Sequence, residues 1–151
     1  MLDFPTVEAQ ACEAPPGLEE AIGAPVGYTA KSPFDYLVEL GSETTIRTLK
    51  PDFLRLGALP TRGVMVTSRS DDPAFDFVSR FFAPSFGIPE DPVTGSAHCC
   101  LGPHWSARLG KSDLVGHQVS ARGGVVRVVV RGERVHLGGS AITIMRGELS
   151  A

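Results

Sequence analysis

The chain has 151 residues, 42% of them hydrophobic and 21% charged, with a formal net charge of -3. That is one ordinary domain, long enough to bury a core, and it lacks the basic surplus that nucleic-acid binding requires. No apolar run approaches the roughly 20 residues that span a bilayer. The start, Met1-Leu2-Asp3-Phe4-Pro5, lacks the basic and apolar regions of a secretion signal. The expectation is a cytoplasmic protein with neither a nucleic-acid nor a membrane partner.

In chain order, Met1–Thr6 reads as a strand stopped at Pro5, and Gly17–Ile22 as a short helix ended by Gly23. Phe34–Leu40 is a strand. Ser42 is an N-cap candidate for a helix over Glu43–Leu49, with Glu43 in the first turn. Pro51 breaks that helix, and Asp52–Leu56 is a further helical turn. Arg62–Ser68 and Phe75–Phe82 are strands, the second with mixed polarity on its two faces. Gly95–Leu109 is the longest helix, ended by Gly110, and Pro103 inside it predicts a kink or break. Gln118–Ala121, Val125–Arg131, Arg134–Leu137 and Ala141–Met145 read as strands joined by glycine turns, an antiparallel meander. The 17 glycines and 12 prolines suit such a turn-rich chain. One central helix with many short strands predicts an α+β fold, a mixed sheet curled around that helix.

The cysteines, Cys12, Cys99 and Cys100, are odd in number and two are adjacent. They form neither a disulfide framework nor the ligand spacing of a zinc site, so no metal is expected. Cys99 and Cys100 fall inside the helix and read as core residues rather than nucleophiles. His98 reads as a packed or capping side chain, His104, His117 and His136 as structural, and Trp105 as a core anchor. Arg80 either pairs with an acid near Asp91 or is solvated.

Chemistry concentrates in Phe86-Gly87-Ile88-Pro89-Glu90-Asp91-Pro92-Val93-Thr94-Gly95-Ser96-Ala97-His98. Pro92 biases Asp91 toward extended backbone. Thr94, Gly95 and Ser96 turn the chain into the helix. The first-turn N–H groups have no intrahelical acceptor, and with the helix dipole they favour an anion such as a carboxylate. Asp91 lies a few residues upstream, within reach of the carbon beside that carboxylate. The same residues also suit an ordinary loop, with a Ser or Thr cap and a solvated acid.

This segment resembles the PhzF family, whose members share the diaminopimelate epimerase-like fold. The resemblance extends to Phe75–Pro84 before the motif, and to Cys99–Gly110 after it. It continues through Gln118–Gly124 and Val135–Ala141, and reaches back to Leu2-Asp3-Phe4-Pro5. It implies one lobe of a two-lobed protein, a single domain over residues 1–151 in which a mixed and antiparallel sheet curls into a barrel around a central helix. The active site would lie in the cleft between two lobes. By the resemblance, Asp91 is the catalytic acid of the second lobe, at a position where the epimerases carry cysteine. Thr94, Gly95, Ser96 and Ala97 hold the substrate, and Gly124 approaches the same cleft. The implied reaction is a proton shift on a small carboxylate-bearing substrate, with no cofactor.

The family's first lobe supplies a catalytic glutamate near a Gly-Asn-Pro motif, and this sequence has no such motif. A proton shift needs a group to remove the proton and a group to return it. The partner acid is therefore expected from a separate first-lobe chain or from a homodimer with two lobes face to face, unless the chain is a fragment of a longer enzyme. The alternative is a non-catalytic ligand-binding or protein-interaction module derived from that lobe.

Overall fold

The computed structural model describes residues 1–148. Among them, ten strands and four helices follow one another as β1 (Leu2–Pro5), β2 (Gln10–Ala11), α1 (Leu18–Ile22), β3 (Tyr28–Lys31), β4 (Asp35–Glu39), α2 (Glu43–Thr48), α3 (Phe53–Ala58), β5 (Gly63–Arg69), β6 (Phe77–Ala83), β7 (Ile88–Asp91), α4 (Gly95–Leu109), β8 (Asp113–Gln118), β9 (Gly124–Arg131) and β10 (Arg134–Gly138). Local chemistry sets several helix ends. The Ser42 hydroxyl accepts the Thr45 N–H at the start of α2. The Asp52 carboxylate accepts the Leu54 and Arg55 N–H groups at the start of α3, each satisfying donors that the first turn leaves free. Gly110 ends α4 at φ 67°, a left-handed position that glycine adopts without steric penalty.

The strands form one sheet in the order β1-β10-β9-β8-β6-β5-β4-β3-β2, with β7 added alongside β6. Two neighbouring pairs, β4 with β5 and β6 with β8, are parallel. Parallel neighbours need long crossovers; α2 and α3 lie in the first and α4 in the second. One face of the sheet packs on α1, α2 and α3 through Leu18, Ile22, Ile46, Val66, Val78 and Phe82. The other face packs on α4, where Ala97, Leu101 and Trp105 meet Ala30, Met65, Phe77 and Val135.

The contacts of α4 establish the curvature. β3 and β10 are six strand positions apart in the sheet. Laid flat at about 4.8 Å per strand they would stand about 30 Å apart, yet neighbouring residues of one helix about 10 Å across reach both: the His104 ring lies 5.7 Å from that of Tyr28 on β3, and a Cβ at Gly102 would stand 3.7 Å from Val135 Cγ1 on β10. The sheet therefore wraps α4. It does not close into the expected barrel. No ladder joins edge strand β1 to edge strand β2 among the described residues; the short segment between Pro5 and Gln10 carries the chain from one edge to the other. Donors in that segment bond elsewhere: the Thr6 N–H to the Glu133 carbonyl at 2.9 Å and the Val7 N–H to the Cys99 carbonyl at 3.0 Å.

The second of these bonds explains why α4 runs unbroken through Pro103, against the expected kink or break. Proline has no N–H to give the carbonyl four residues back, which here is Cys99, and Val7 supplies that donor instead. Gly102, beside it, lets the helix lie close to β9: a Cβ there would stand 2.7 Å from Val128 Cγ1.

Other departures have equally local causes. β6 has no clean alternation because both of its faces are covered, Phe77 and Phe81 by the α4 cluster and Val78 and Phe82 by the other. The strand expected over Gln118–Ala121 lies earlier, at Asp113–Gln118. The strand expected over Ala141–Met145 is absent. β10 already has β9 on one side and β1 on the other, so it offers no free edge, and Ile142 and Ile144 remain exposed. No described helix is long and apolar enough to cross a membrane.

Candidate active site

Asp91 ends β7, where it pairs with Phe81 of β6, and the chain then turns through Pro92 and Val93 into α4. The turn is held by one buried side chain that the sequence reading left out of the site, Gln118 at the end of β8. Its Oε1 accepts the Thr94 N–H at 2.8 Å. Its Nε2 donates to the Asp91 carbonyl at 2.7 Å and to Thr94 Oγ1 at 3.1 Å. Gln118 is 1% exposed and Thr94 7%. The Thr94 hydroxyl donates in turn to Asp91 Oδ2 at 2.5 Å. From the other side, the Ser120 hydroxyl donates to the Pro92 carbonyl at 2.7 Å.

Because Thr94 Oγ1 is turned to Asp91, it does not cap α4. The first-turn amides at Gly95, Ser96 and Ala97 thus have neither a side-chain cap nor an intrahelical acceptor. Gly95 and Ser96 are exposed and Ala97 is buried. Arg62, placed just before β5, reaches this end of the helix: its Nη2 donates to Ser96 Oγ at 3.3 Å. The same guanidinium grips buried Asp35 through Nε to Oδ1 at 2.9 Å and through Nη2 to Oδ2. The hydrogen bond to Asp35 holds the Arg62 guanidinium above its usual basicity.

A cavity of about 550 Å³ opens beside the helix start, between Val93, Gly95, Gly124, Leu137 and Gly138. Gly124 lines this space, and Val93 requires a glycine there: a Cβ would stand 2.4 Å from Val93 Cγ2. Of the residues anticipated from sequence, the structure joins Asp91 to Thr94 directly. It places Gly95, Ser96 and Ala97 together on the first turn and lines one cavity with Gly95 and Gly124, while Asp91, Thr94, Ser96 and Ala97 are not among the cavity's lining residues.

The neighbouring acid and the nearby histidine and cysteines are occupied with the fold. Arg80 takes Glu90 in a two-pronged pair, at 2.7 and 2.9 Å, and donates to the carbonyls of Ile46 and Leu49 at the end of α2. Cys99 and Cys100 are buried in the α4 cluster, and burial pushes the Cys100 thiol up to about 12. His98 is fully buried, with Nδ1 2.8 Å from the Thr94 carbonyl and no partner at Nε2. A carbonyl can only accept, so Nδ1 carries the proton and Nε2 is an unpaired acceptor.

Burial holds His98 below the ordinary imidazole value, a pull that its hydrogen bond to Thr94 only partly opposes. The unfolded chain takes up this proton below about pH 6.5 while the folded chain does not, so stability falls as pH drops through that value. His117 of β8 is depressed in the same direction by burial and by Arg47. The urea midpoint is expected to decline from about pH 7 to pH 5.5 and to decline less steeply in His98→Gln. Equal slopes in the two proteins would show that His98 does not sense this transition.

The comparisons with known proteins agree with this architecture. The family described as "Phenazine biosynthesis-like protein" (PhzC-PhzF) matches residues 6–147. An "uncharacterized isomerase" of Pseudomonas aeruginosa is 50% identical over 148 residues, covering 98% of this chain and 56% of that protein. Another of Halalkalibacterium halodurans is 43% identical over 149 residues, with coverage of 98% and 56%. The crystal structure of a PhzF-family protein of Enterococcus faecalis superimposes with a TM-score of 0.88 at 38% identity, covering 99% of this chain and 57% of that one. The chain thus spans about half the length of the relatives it matches. With the match running from Thr6 to Gly147, through the Asp91–His98 turn and the sheet around α4, the chain belongs to the PhzF family of phenazine biosynthesis-like proteins.

Proposed function

We propose that this chain supplies one face of a PhzF-type isomerase site, at which a proton is moved along a small unsaturated carboxylic acid. The observation that carries this reading is the Asp91 carboxylate bonded to Thr94, the residue that leads into the uncapped first turn of α4. Glu90 is consumed by Arg80 and Asp35 by Arg62, while the Asp91 carboxylate takes part in no ion pair among the described residues. The amides of Gly95, Ser96 and Ala97, with the Ser96 hydroxyl, hold the substrate carboxylate, helped by the helix dipole. Gly124 lines the cavity beside Val93, which fills the space that a Cβ there would need. A proton leaves the carbon beside the carboxylate, the double bond moves, and a proton returns further along; nothing is oxidised or reduced. The relatives named isomerases support the class of reaction. Their greater length supports a second face beyond these residues, from a first lobe or from a second copy.

Incubating the complete assembly with a panel of unsaturated carboxylic acids in deuterium oxide, followed by NMR, tests this reading. Deuterium appearing at carbon, beside the carboxylate or at the far end of the shifted bond, is the expected result. Carboxylates that bind at the α4 terminus without any exchange would instead identify a binding module.

A further inference from the structure

The polarity of the Gln118 network can be read without ambiguity, because two backbone groups fix it. The Thr94 N–H can only donate, so the atom that receives it is the Gln118 carbonyl oxygen. The Asp91 C=O can only accept, so the atom facing it is the Gln118 amide nitrogen. That nitrogen has a second hydrogen, which goes to Thr94 Oγ1. With one lone pair of Oγ1 so occupied, the Thr94 hydroxyl proton points at Asp91 Oδ2. The backbone thereby fixes the orientation of the Gln118 amide, and the Thr94 hydroxyl carries the network on to the carboxylate.

We infer that Gln118 and Thr94 form a directional relay that positions Asp91, holding Oδ2 as an acceptor and leaving Oδ1 as the oxygen that meets the substrate proton. This rests on Asp91 being the proton-handling group. In this role Thr94 and Gln118 are positioning residues. Their burial keeps water from competing for the same bonds. The relay ties together three elements, since Gln118 closes β8, Asp91 closes β7 and Thr94 precedes α4. The carboxylate is therefore held relative to the anion-holding first turn by the same bonds that hold that turn to the sheet. A small displacement of a reacting group costs up to about a hundredfold in rate, which sets the scale of what the relay protects.

The test uses the deuterium-exchange assay on the complete assembly. Thr94→Val keeps the shape and removes the donor, and is expected to lower kcat about tenfold to a hundredfold with little change in KM. Thr94→Ser restores the hydroxyl and is expected to recover most of that loss. Gln118→Glu still accepts the Thr94 N–H but loses the donor to Asp91 and Thr94, and is expected to match Thr94→Val. In an Asp91→Asn background, Thr94→Val is expected to add no further loss, which a merely structural role would not produce. Thermal midpoints check that each variant folds. If Asp91→Asn is inactive while folded Thr94→Val retains full turnover, or if the two losses simply add, the relay is overturned and the role of Asp91 stands. If Asp91→Asn itself turns over normally, the proposed function fails.

Discussion

Asp91→Asn is expected to lose turnover by about a hundredfold to ten-thousandfold, the range that a positioned acid or base contributes, while the fold survives. The carboxamide is nearly isosteric, and its oxygen can still accept the Thr94 hydroxyl that Oδ2 now accepts at 2.5 Å. What it cannot do is take a proton from carbon and give it back. Asp91 is half-buried at the end of a short strand, and its backbone carbonyl, not its side chain, carries the contact with Gln118. Stability measured by urea is therefore expected to change little. A variant with near-normal exchange rates would remove Asp91 from the chemistry; a variant that no longer folds would mean its side chain holds the turn.

Arg62→Ala is expected to be the most destabilising single change at this end of the molecule. Asp35 opens β4 and is 2% exposed, and Arg62 is the cation on its carboxylate. Removing one partner of a buried pair strands the other charge and costs about 3–5 kcal/mol. The lower end applies here, since the Arg62 side chain is 35% exposed and water can enter where it leaves. The pair also fastens the beginnings of two parallel strands, Asp35 lying opposite Gly63 in the ladder, and Arg62 lies over the Phe34 ring at 5.2 Å. Urea unfolding should show the loss, and Arg62→Met combined with Asp35→Leu should recover much of it, because an apolar pair carries no desolvation penalty. A loss below about 1 kcal/mol for the single variant would place this pair with ordinary surface ion pairs.

Much of the framework was legible because it depends on neighbours in sequence. Ser42 caps α2 and Gly110 ends α4 as read. The turn between β9 and β10 falls at Gly132-Glu133, where Gly132 takes φ 55°. The family's motif marked Asp91 and the first turn of α4. The parts that escaped depend on distant partners. β7 carries no strand pattern of its own because prolines flank Glu90 and Asp91, yet pairing with β6 makes it a strand. β8 was shifted because Gly116, His117 and Gln118 interrupt its apolar pattern; Gly116 is needed there since a Cβ would stand 2.5 Å from Phe77 Cζ. The link from Gln118 to Thr94 crosses 24 residues and that from Arg62 to Asp35 crosses 27, so no local spacing announces either. The open edge of the sheet likewise follows from strand order, and the run of alternating residues after Gly139 cannot reveal that β10 has no free side.

On the proposed function, this chain bears one face of a two-faced site. The most direct test is the rate of deuterium incorporation per chain, followed as the protein is diluted and its mass is monitored by light scattering. The rate is expected to fall as associated chains separate, or to be absent until a chain carrying the facing lobe is added. A rate per chain that stays constant down to concentrations at which the protein is a monomer would contradict it, and would mean that Asp91 and its surroundings complete the reaction alone.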